Sequence, residues 1–289
     1  MKVEVAKTAG FCFGVRRAVN MVYQEAEENP GKVYTMGPII HNEQVVDDLA
    51  GRGVHVIDDS LCDEVTKIPV PGDAVIVKRS HGISREMNEK LEATGCKIAD
   101  ATCPFVSKIH KIVEEKSREG YHIIIIGSPK HPEVMGIRGW AQGPCTVIET
   151  ASDAENLDLP KDTKIWIVSQ TTFNYDKFSN FVEIIEELGY HVVVTNTICS
   201  ATKERQKEAL ELARRSDVMI VIGGKNSSNT QKLYDICLSQ CKNTYYIQKL
   251  DDLVTVNFQS DSSVGITAGA STPNSIIEEV FGYVRRTEL

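Results

Sequence analysis

Three cysteines, Cys12, Cys103 and Cys199, stand 91 and 96 residues apart, and each precedes a stretch that reads as helix. Each opens a repeat. A glycine follows 25, 24 and 24 residues later, at Gly37, Gly127 and Gly223, and four residues beyond it comes a polar side chain, His41, His131 or Ser227. A second polar residue lies further on in each, His81, Thr171 and Ser271. Recurrence at a near-constant interval marks related structural units. Three units that each bring one thiol and two polar groups point to a shared metal or cluster site. Soft thiolates select zinc or an iron–sulfur cluster. No Cys-x2-Cys pair of the zinc-finger kind occurs. In a [4Fe–4S] cubane, three cysteines leave one iron without a protein thiolate, open to a substrate. The competing reading is packing, since free cysteines are common in cores. A position ahead of a helix favours the thiolate and speaks for the site. Cys62, Cys96, Cys145, Cys237 and Cys241 have no repeat partners and read as packing residues. Cys237 and Cys241, four apart on one helical stretch, could also form half a metal site.

The other polar positions suggest an anion. Gly223-Gly224-Lys225-Asn226-Ser227-Ser228-Asn229 precedes a helical stretch. Its glycines let backbone N–H groups converge on a phosphate, and the helix would present its N-terminus. It is not a Walker A loop, and Ser and Asn before a helix also serve as ordinary caps. His41, His81 and His131 fall at related turns, where imidazole can donate to phosphate oxygens or relay protons. Glu133, in His131-Pro132-Glu133, is a candidate proton donor; alternatively it only complements a helix N-terminus.

The elements that must position these residues are legible from periodicity. Each unit reads as alternating helix and strand. Val15–Glu28, with Ala18, Val19, Val22 and Ala26 on one face, is predicted helical, as are 42–52, 84–94, 104–118, 132–140, 175–188, 201–214, 230–241 and 273–284. Strands are predicted at 2–6, 32–36, 54–57, 74–77, 121–126, 165–168, 192–195, 218–222 and 264–267. Unbroken apolar runs such as Ile123-Ile124-Ile125-Ile126 suggest parallel strands covered on both faces. In open parallel sheets ligands bind beyond the carboxyl ends of the strands, where all the repeated polar residues fall. The third unit lacks a last strand, and the N-terminal segment supplies one. The expected fold class is therefore α/β: three pseudo-repeated α/β units, 13–103, 104–199 and 200–289 completed by 1–12, each with a small mainly parallel sheet, arranged in a ring around a central site.

Composition bounds the function. The chain has 289 residues, 42% hydrophobic and 25% charged, with a net charge of −8. An acidic surface is a poor general binder of nucleic acid. No apolar run reaches the length of a transmembrane helix, and the first residues lack a signal-peptide pattern, so a cytoplasmic protein is expected. There, cysteines read as metal-binding or catalytic before they read as disulfides. No Gly-x-Gly-x-x-Gly dinucleotide fingerprint follows a strand.

Taken together, the segments resemble the 4-hydroxy-3-methylbut-2-enyl diphosphate reductase family, iron–sulfur enzymes of the methylerythritol phosphate route to isoprenoids. The resemblance runs nearly end to end, through Gly10-Phe11-Cys12-Phe13-Gly14-Val15, Gly37-Pro38-Ile39-Ile40-His41-Asn42, Arg79-Ser80-His81-Gly82, Asp100-Ala101-Thr102-Cys103-Pro104, His131-Pro132-Glu133-Val134, Ser169-Gln170-Thr171-Thr172, Ile198-Cys199-Ser200-Ala201-Thr202, Lys225-Asn226-Ser227-Ser228-Asn229 and Thr267-Ala268-Gly269-Ala270-Ser271. It implies a [4Fe–4S] cluster on Cys12, Cys103 and Cys199. It implies an allylic alcohol diphosphate substrate held by His41, His81, His131, Ser227, Ser228, Asn229 and Ser271. Thr171 would lie near the substrate hydroxyl and Glu133 would belong to the proton relay, with His131 beside it. The reaction is a two-electron reduction with loss of water, giving isopentenyl and dimethylallyl diphosphate. With no dinucleotide site, electrons are expected from a ferredoxin or flavodoxin. The alternatives are a non-enzymatic iron–sulfur carrier or redox sensor, for which four cysteines and no phosphate loop would be expected, and a three-thiolate zinc hydrolase.

Overall fold

Strands that are apolar on every position need cover on both faces, and the chain provides it by alternating strands with amphipathic helices. The structure, a computed structural model, describes residues 2–57, 70–253 and 261–286. The first third contains β1 (Lys2–Val5), α1 (Phe13–Glu28), β2 (Val33–Met36), α2 (Glu43–Gly51), β3 (Val54–Ile57), β4 (Val75–Lys78), α3 (Arg85–Glu92) and β5 (Lys97–Asp100). The middle contains α4 (Pro104–Arg118), β6 (His122–Ile126), α5 (Pro132–Arg138), β7 (Cys145–Ile148), α6 (Ala151–Glu155), β8 (Ile165–Ser169), α7 (Tyr175–Glu187) and β9 (Val192–Val194). The last third contains α8 (Ser200–Ala213), β10 (Val218–Ile222), α9 (Ser228–Gln240), β11 (Thr244–Ile247), a 3₁₀ turn at Leu250–Leu253, β12 (Ser263–Ala268) and α10 (Asn274–Arg286).

The chain divides into two compact units. One comprises Met1–Arg16, Ile40–Asp47 and Ser200–Leu289; the other comprises Arg17–Ile39 and Asp48–Cys199. The first unit holds a four-stranded sheet in the order β1-β12-β10-β11, and the second holds two, β3-β2-β4-β5 and β7-β6-β8-β9. All strand pairs among the described residues are parallel. The N-terminal β1 lies against β12, with Lys2 opposite Ser263 and Val5 opposite Ile266. The fold is thus α/β, with three small parallel sheets.

Two-sided burial explains the apolar runs. In β10, Ile220 and Ile222 pack with Ile277 and Val280 of α10. On the other face Met219 and Val221 pack with Ala209 and Leu212 of α8 and Leu233 of α9. β6 repeats the division: Ile124 and Ile126 face Phe178 and Phe181 of α7, while Ile123 and Ile125 face Ile109 and Val113 of α4.

The repeat is visible in the backbone. Gly37, Gly127 and Gly223 each donate an N–H to the last strand residue of the neighbouring edge strand, Ile57, Ile148 and Ile247, at 2.9 Å. At Gly127 a Cβ would lie 2.8 Å from Val134 and 2.9 Å from Gln170, so the turn closes only on glycine.

Four elements escaped periodicity: β5, β7, β11 and α6. The three strands are four-residue edge strands. Sequences such as Cys145-Thr146-Val147-Ile148 are too short and too mixed to show a period. α6 is five residues long and is held by a capping box between Thr150 and Asp153. The helix predicted over 132–140 ends at Arg138, where Gly139 caps it. The helix predicted from Thr230 starts at Ser228, because Ser227 is its N-cap. Cys62 lies outside the described residues.

Candidate active site

Each cysteine of the repeat is anchored the same way. The N–H of Cys12 donates to Ala270 O (3.3 Å), that of Cys103 to Ser80 O (3.0 Å) and that of Cys199 to Thr171 O (3.0 Å). These acceptors lie at or beside Ser271, His81 and Thr171. Each thiol is thereby tied, through its own backbone, to the turn carrying the second polar position of its repeat.

All three cysteines are partly buried and none is in a disulfide. Each stands ahead of a helix: α1 begins at Phe13, Cys103 is the N-cap of α4, and α8 begins at Ser200. Val15 N–H points at Cys12 Sγ at 3.5 Å. This donor set has the chemistry a cluster requires. The other cysteines differ. Burial pushes the Cys237 thiol up to about 12, with Cys241 adding to the effect; burial likewise takes Cys145 to about 11. Cys237 and Cys241 belong to the core beneath α8 and α9, so the packing reading holds for both.

In the unit formed by Arg17–Ile39 and Asp48–Cys199, the acid lies at the start of α5. Pro132 occupies the first helical position and His131 caps the helix, its Nδ1 accepting from Glu133 N–H at 3.1 Å. The short helix turns Glu133 inward, leaving it 2% exposed. Its Oε1 accepts from Thr171 N–H (2.5 Å) and its Oε2 from the Thr171 hydroxyl (2.7 Å). Burial raises its pKa to about 7, even though both Thr171 bonds pull it down. Glu133 is therefore no solvated helix-end carboxylate but an acid poised near neutrality. Because Thr171 O takes the Cys199 N–H, acid, hydroxyl and cysteine form one hydrogen-bonded succession. The His81 and His131 rings lie edge to face with centroids 5.5 Å apart. Cys103 lies one hydrogen bond from the residue before His81.

In the unit formed by Met1–Arg16, Ile40–Asp47 and Ser200–Leu289, the polar residues gather at the carboxyl ends of β10 and β12. Ser227 caps α9, its hydroxyl oxygen accepting from Thr230 N–H (3.2 Å) and the Thr230 hydroxyl (2.9 Å). The capping and the anion-binding readings of this loop are thus compatible. Ser271 donates to His41 O at 3.1 Å. Gly224 lies so close to the same carbonyl that a Cβ would sit 2.6 Å from it. Asn229, 4% exposed, has both amide atoms buried with no hydrogen-bond partner among the described residues. A buried amide without partners at a helix N-terminus is set to receive a polar ligand. Lys225 and Asn226 of the same loop are exposed.

Three further residues were not singled out from the sequence. Thr230, fully buried, orients Ser227. Gln170 accepts the Ser128 N–H at 3.1 Å and supports the turn before His131. His110 lies under Gly82, where a Cβ would be 2.5 Å from its ring, and stacks on Trp140 at 5.3 Å. Burial lowers its pKa to about 4, opposed by the Asp100 charge, so it is neutral at pH 7. Adjacency to a motif was the only pointer to Gln170; nothing marked the other two.

The model of one family, described as LytB protein, matches residues 3–285. A 4-hydroxy-3-methylbut-2-enyl diphosphate reductase of Caldanaerobacter subterraneus subsp. tengcongensis is 44% identical over 286 residues, 99% of this chain and 97% of that one. The protein of the same name from Clostridioides difficile is 42% identical over 284 residues, 98% and 99% of the two chains. Among solved structures, that of an (E)-4-hydroxy-3-methyl-but-2-enyl diphosphate reductase, the terminal enzyme of the non-mevalonate pathway, aligns with a TM-score of 0.68 at 39% identity, covering 99% of this chain and 100% of that one. An E-1-hydroxy-2-methyl-but-2-enyl-4-diphosphate reductase from Plasmodium falciparum aligns with a TM-score of 0.87 at 28% identity, covering 98% and 87%.

Proposed function

The chain belongs to the LytB protein family, and from that premise we propose that it reductively removes the hydroxyl of 4-hydroxy-3-methylbut-2-enyl diphosphate, giving isopentenyl and dimethylallyl diphosphate. The observation that carries the reading is Glu133: a carboxyl 2% exposed, near pKa 7, bonded twice to Thr171, whose carbonyl receives the Cys199 N–H. Removing a hydroxyl as water needs a proton delivered to that oxygen, and an acid with a pKa near the working pH serves best.

Cys12, Cys103 and Cys199 would hold a [4Fe–4S] cluster. Bound there, the cluster would supply electrons and, at the iron lacking a protein thiolate, a Lewis acid for the substrate hydroxyl. The chain's own groups do the rest. Glu133 holds the proton, and the Thr171 hydroxyl, at 2.7 Å, passes it toward the leaving oxygen. His131, which fixes the start of α5 through Glu133 N–H, supports the relay. The Ser227, Ser228 and Asn229 end of α9, with Ser271 and His41, and the His81 and His131 pair would hold the diphosphate; binding that remote group positions the reacting carbon. Three pseudo-repeated units, 13–103, 104–199 and 200–289 completed by 1–12, remain the proposed organisation. The threefold recurrence of the cysteine and glycine bonds supports it.

Among the described residues no helix is long and apolar enough to cross a membrane. The described cysteines form no disulfide, in keeping with a reducing compartment, and we assign the protein to the cytoplasm. Its electrons would come from a separate low-potential carrier, a ferredoxin or flavodoxin. The test is turnover: anaerobically purified protein with a full cluster and a low-potential donor should consume the hydroxylated diphosphate and yield both products. Cluster-loaded protein that leaves the substrate untouched would refute the proposal.

A further inference from the structure

The three cysteine loops are fastened by different groups, and two of them by buried or half-buried arginines. Arg17, on α1, donates to Asp100 O (3.0 Å) and Thr102 O (3.1 Å), the carbonyls leading into Cys103. The Asp100 carboxylate holds the same loop from inside, accepting Thr102 N–H at 2.9 Å. The Cys103 N–H is held by Ser80 O at 3.0 Å. The peptide group joining Thr102 to Cys103 is therefore fixed at both ends, at its oxygen by the guanidinium and at its nitrogen by Ser80.

Arg205, on α8 and 4% exposed, does the equivalent for Cys12. Its Nε donates to Thr8 O at 2.8 Å and its terminal nitrogen to Thr8 O and to Gly10 O, the latter at 2.7 Å. One turn along α8, Glu208 accepts the N–H groups of Lys7 and Thr8, each at 2.8 Å. Gly10 has φ +95, and a Cβ there would meet Asn274 Oδ1 at 2.6 Å, so the loop has one path. The pattern is directional: the helix after Cys12 grips the loop before Cys103, and the helix after Cys199 grips the loop before Cys12. The loop before Cys199 has a hydroxyl instead. Thr197 donates to Ser169 O (2.6 Å) and accepts from Ser169 N–H (2.7 Å).

We propose that Arg17 and Arg205 are positioning residues for the cluster site, fixing the backbone of Cys103 and Cys12 and adding a positive charge to each ligand loop. The proposal rests on the cluster reading above. Two features separate it from simple loop packing. Among the described residues Arg17 has no carboxylate ion-pair partner, so no ion pair neutralises its charge in the loop. At Arg17, holding neutral carbonyls with a guanidinium also forgoes the carboxylate pairing that normally offsets desolvation of that charge.

The experiment compares wild type, R17Q, R17K and R205Q, each loaded with cluster anaerobically. Iron loss to a chelator is followed by visible absorption, the midpoint potential by electron paramagnetic resonance of the reduced state, and the fold by thermal melting of the metal-free protein. R17Q and R205Q should melt like wild type yet release iron at least about tenfold faster, since each loses charge-assisted hydrogen bonds to a ligand loop. Their midpoints should become more negative, because a positive charge that favoured the reduced cluster is gone. R17K, which keeps the charge but not the fork, should restore the midpoint and only part of the iron retention. Wild-type iron release and midpoint in R17Q and R205Q would overturn the proposal. If a glutamine variant does not fold, R17K decides alone: wild-type iron retention there overturns the role of the fork. A wild-type protein that takes up no cluster would instead refute the reading of the site on which the proposal stands.

Discussion

Replacing Glu133 with glutamine separates the proton relay from mere packing, because the substitution keeps the shape and removes the titration. Glutamine Oε1 can accept from Thr171 N–H, and its Nε2 can donate to the Thr171 hydroxyl oxygen, replacing the bonds at 2.5 and 2.7 Å. The wild-type carboxyl is raised from 4.5 to about 7, chiefly by burial. Its folded form therefore binds a proton more tightly than the unfolded chain does. Below about pH 4.5 both states are protonated and nothing is lost. Between about 4.5 and 7 the native state holds the extra proton, and wild-type stability falls as pH rises. Above about 7 both states are ionised and the loss has reached its full size, roughly 3 kcal/mol at most for a shift of about 2.5 units. E133Q has no such term. Urea melts of the metal-free proteins across this range should show the variant gaining on wild type through the window and levelling off above it. Turnover should fall on the order of 100-fold or more with substrate binding retained, the usual worth of positioned proton transfer. A stability difference that stays flat from pH 4.5 to 7 would refute the buried, raised acid; near-wild-type turnover would remove Glu133 from the relay.

Thr171→Val deletes the hydroxyl bond that lowers the Glu133 pKa. It should therefore move the alkaline limb of turnover to higher pH while reducing its maximum, as a pH–rate profile would show. Asn229→Ala removes a buried amide without hydrogen-bond partners among the described residues. It should leave substrate-free stability unchanged or higher, and raise KM for the diphosphate about tenfold or more if the amide binds the anion. Melting curves and steady-state kinetics check both halves.

The cysteines, histidines and the Asn-Ser-Ser-Asn loop were legible because their spacing repeats, and a repeat in sequence becomes a repeat in backbone hydrogen bonds. Long helices such as α1 and α4 were legible because one-sided burial imposes a period, and strands such as β6 and β10 because two-sided burial leaves an unbroken apolar run. The edge strands β7 and β11 were not. An edge strand satisfies its ladder on one side only, and Thr244-Tyr245-Tyr246-Ile247 carries little apolar pattern. Glu133 was visible as a residue but not as an acid near pKa 7, since that depends on complete burial, set against the opposing bonds from Thr171, 38 residues away. Arg17 and Arg205 were invisible for a related reason. Their partners are main-chain carbonyls, which leave no mark in side-chain identity.

Three cysteines, Cys12, Cys103 and Cys199, would hold a cluster whose remaining iron meets the substrate. This is tested by the Mössbauer spectrum of anaerobic, iron-57-loaded protein with and without the hydroxylated diphosphate. One iron should be distinct from the other three and should shift when the diphosphate is added. Four irons that are equivalent and indifferent to the diphosphate would contradict it, and would point instead to an electron carrier.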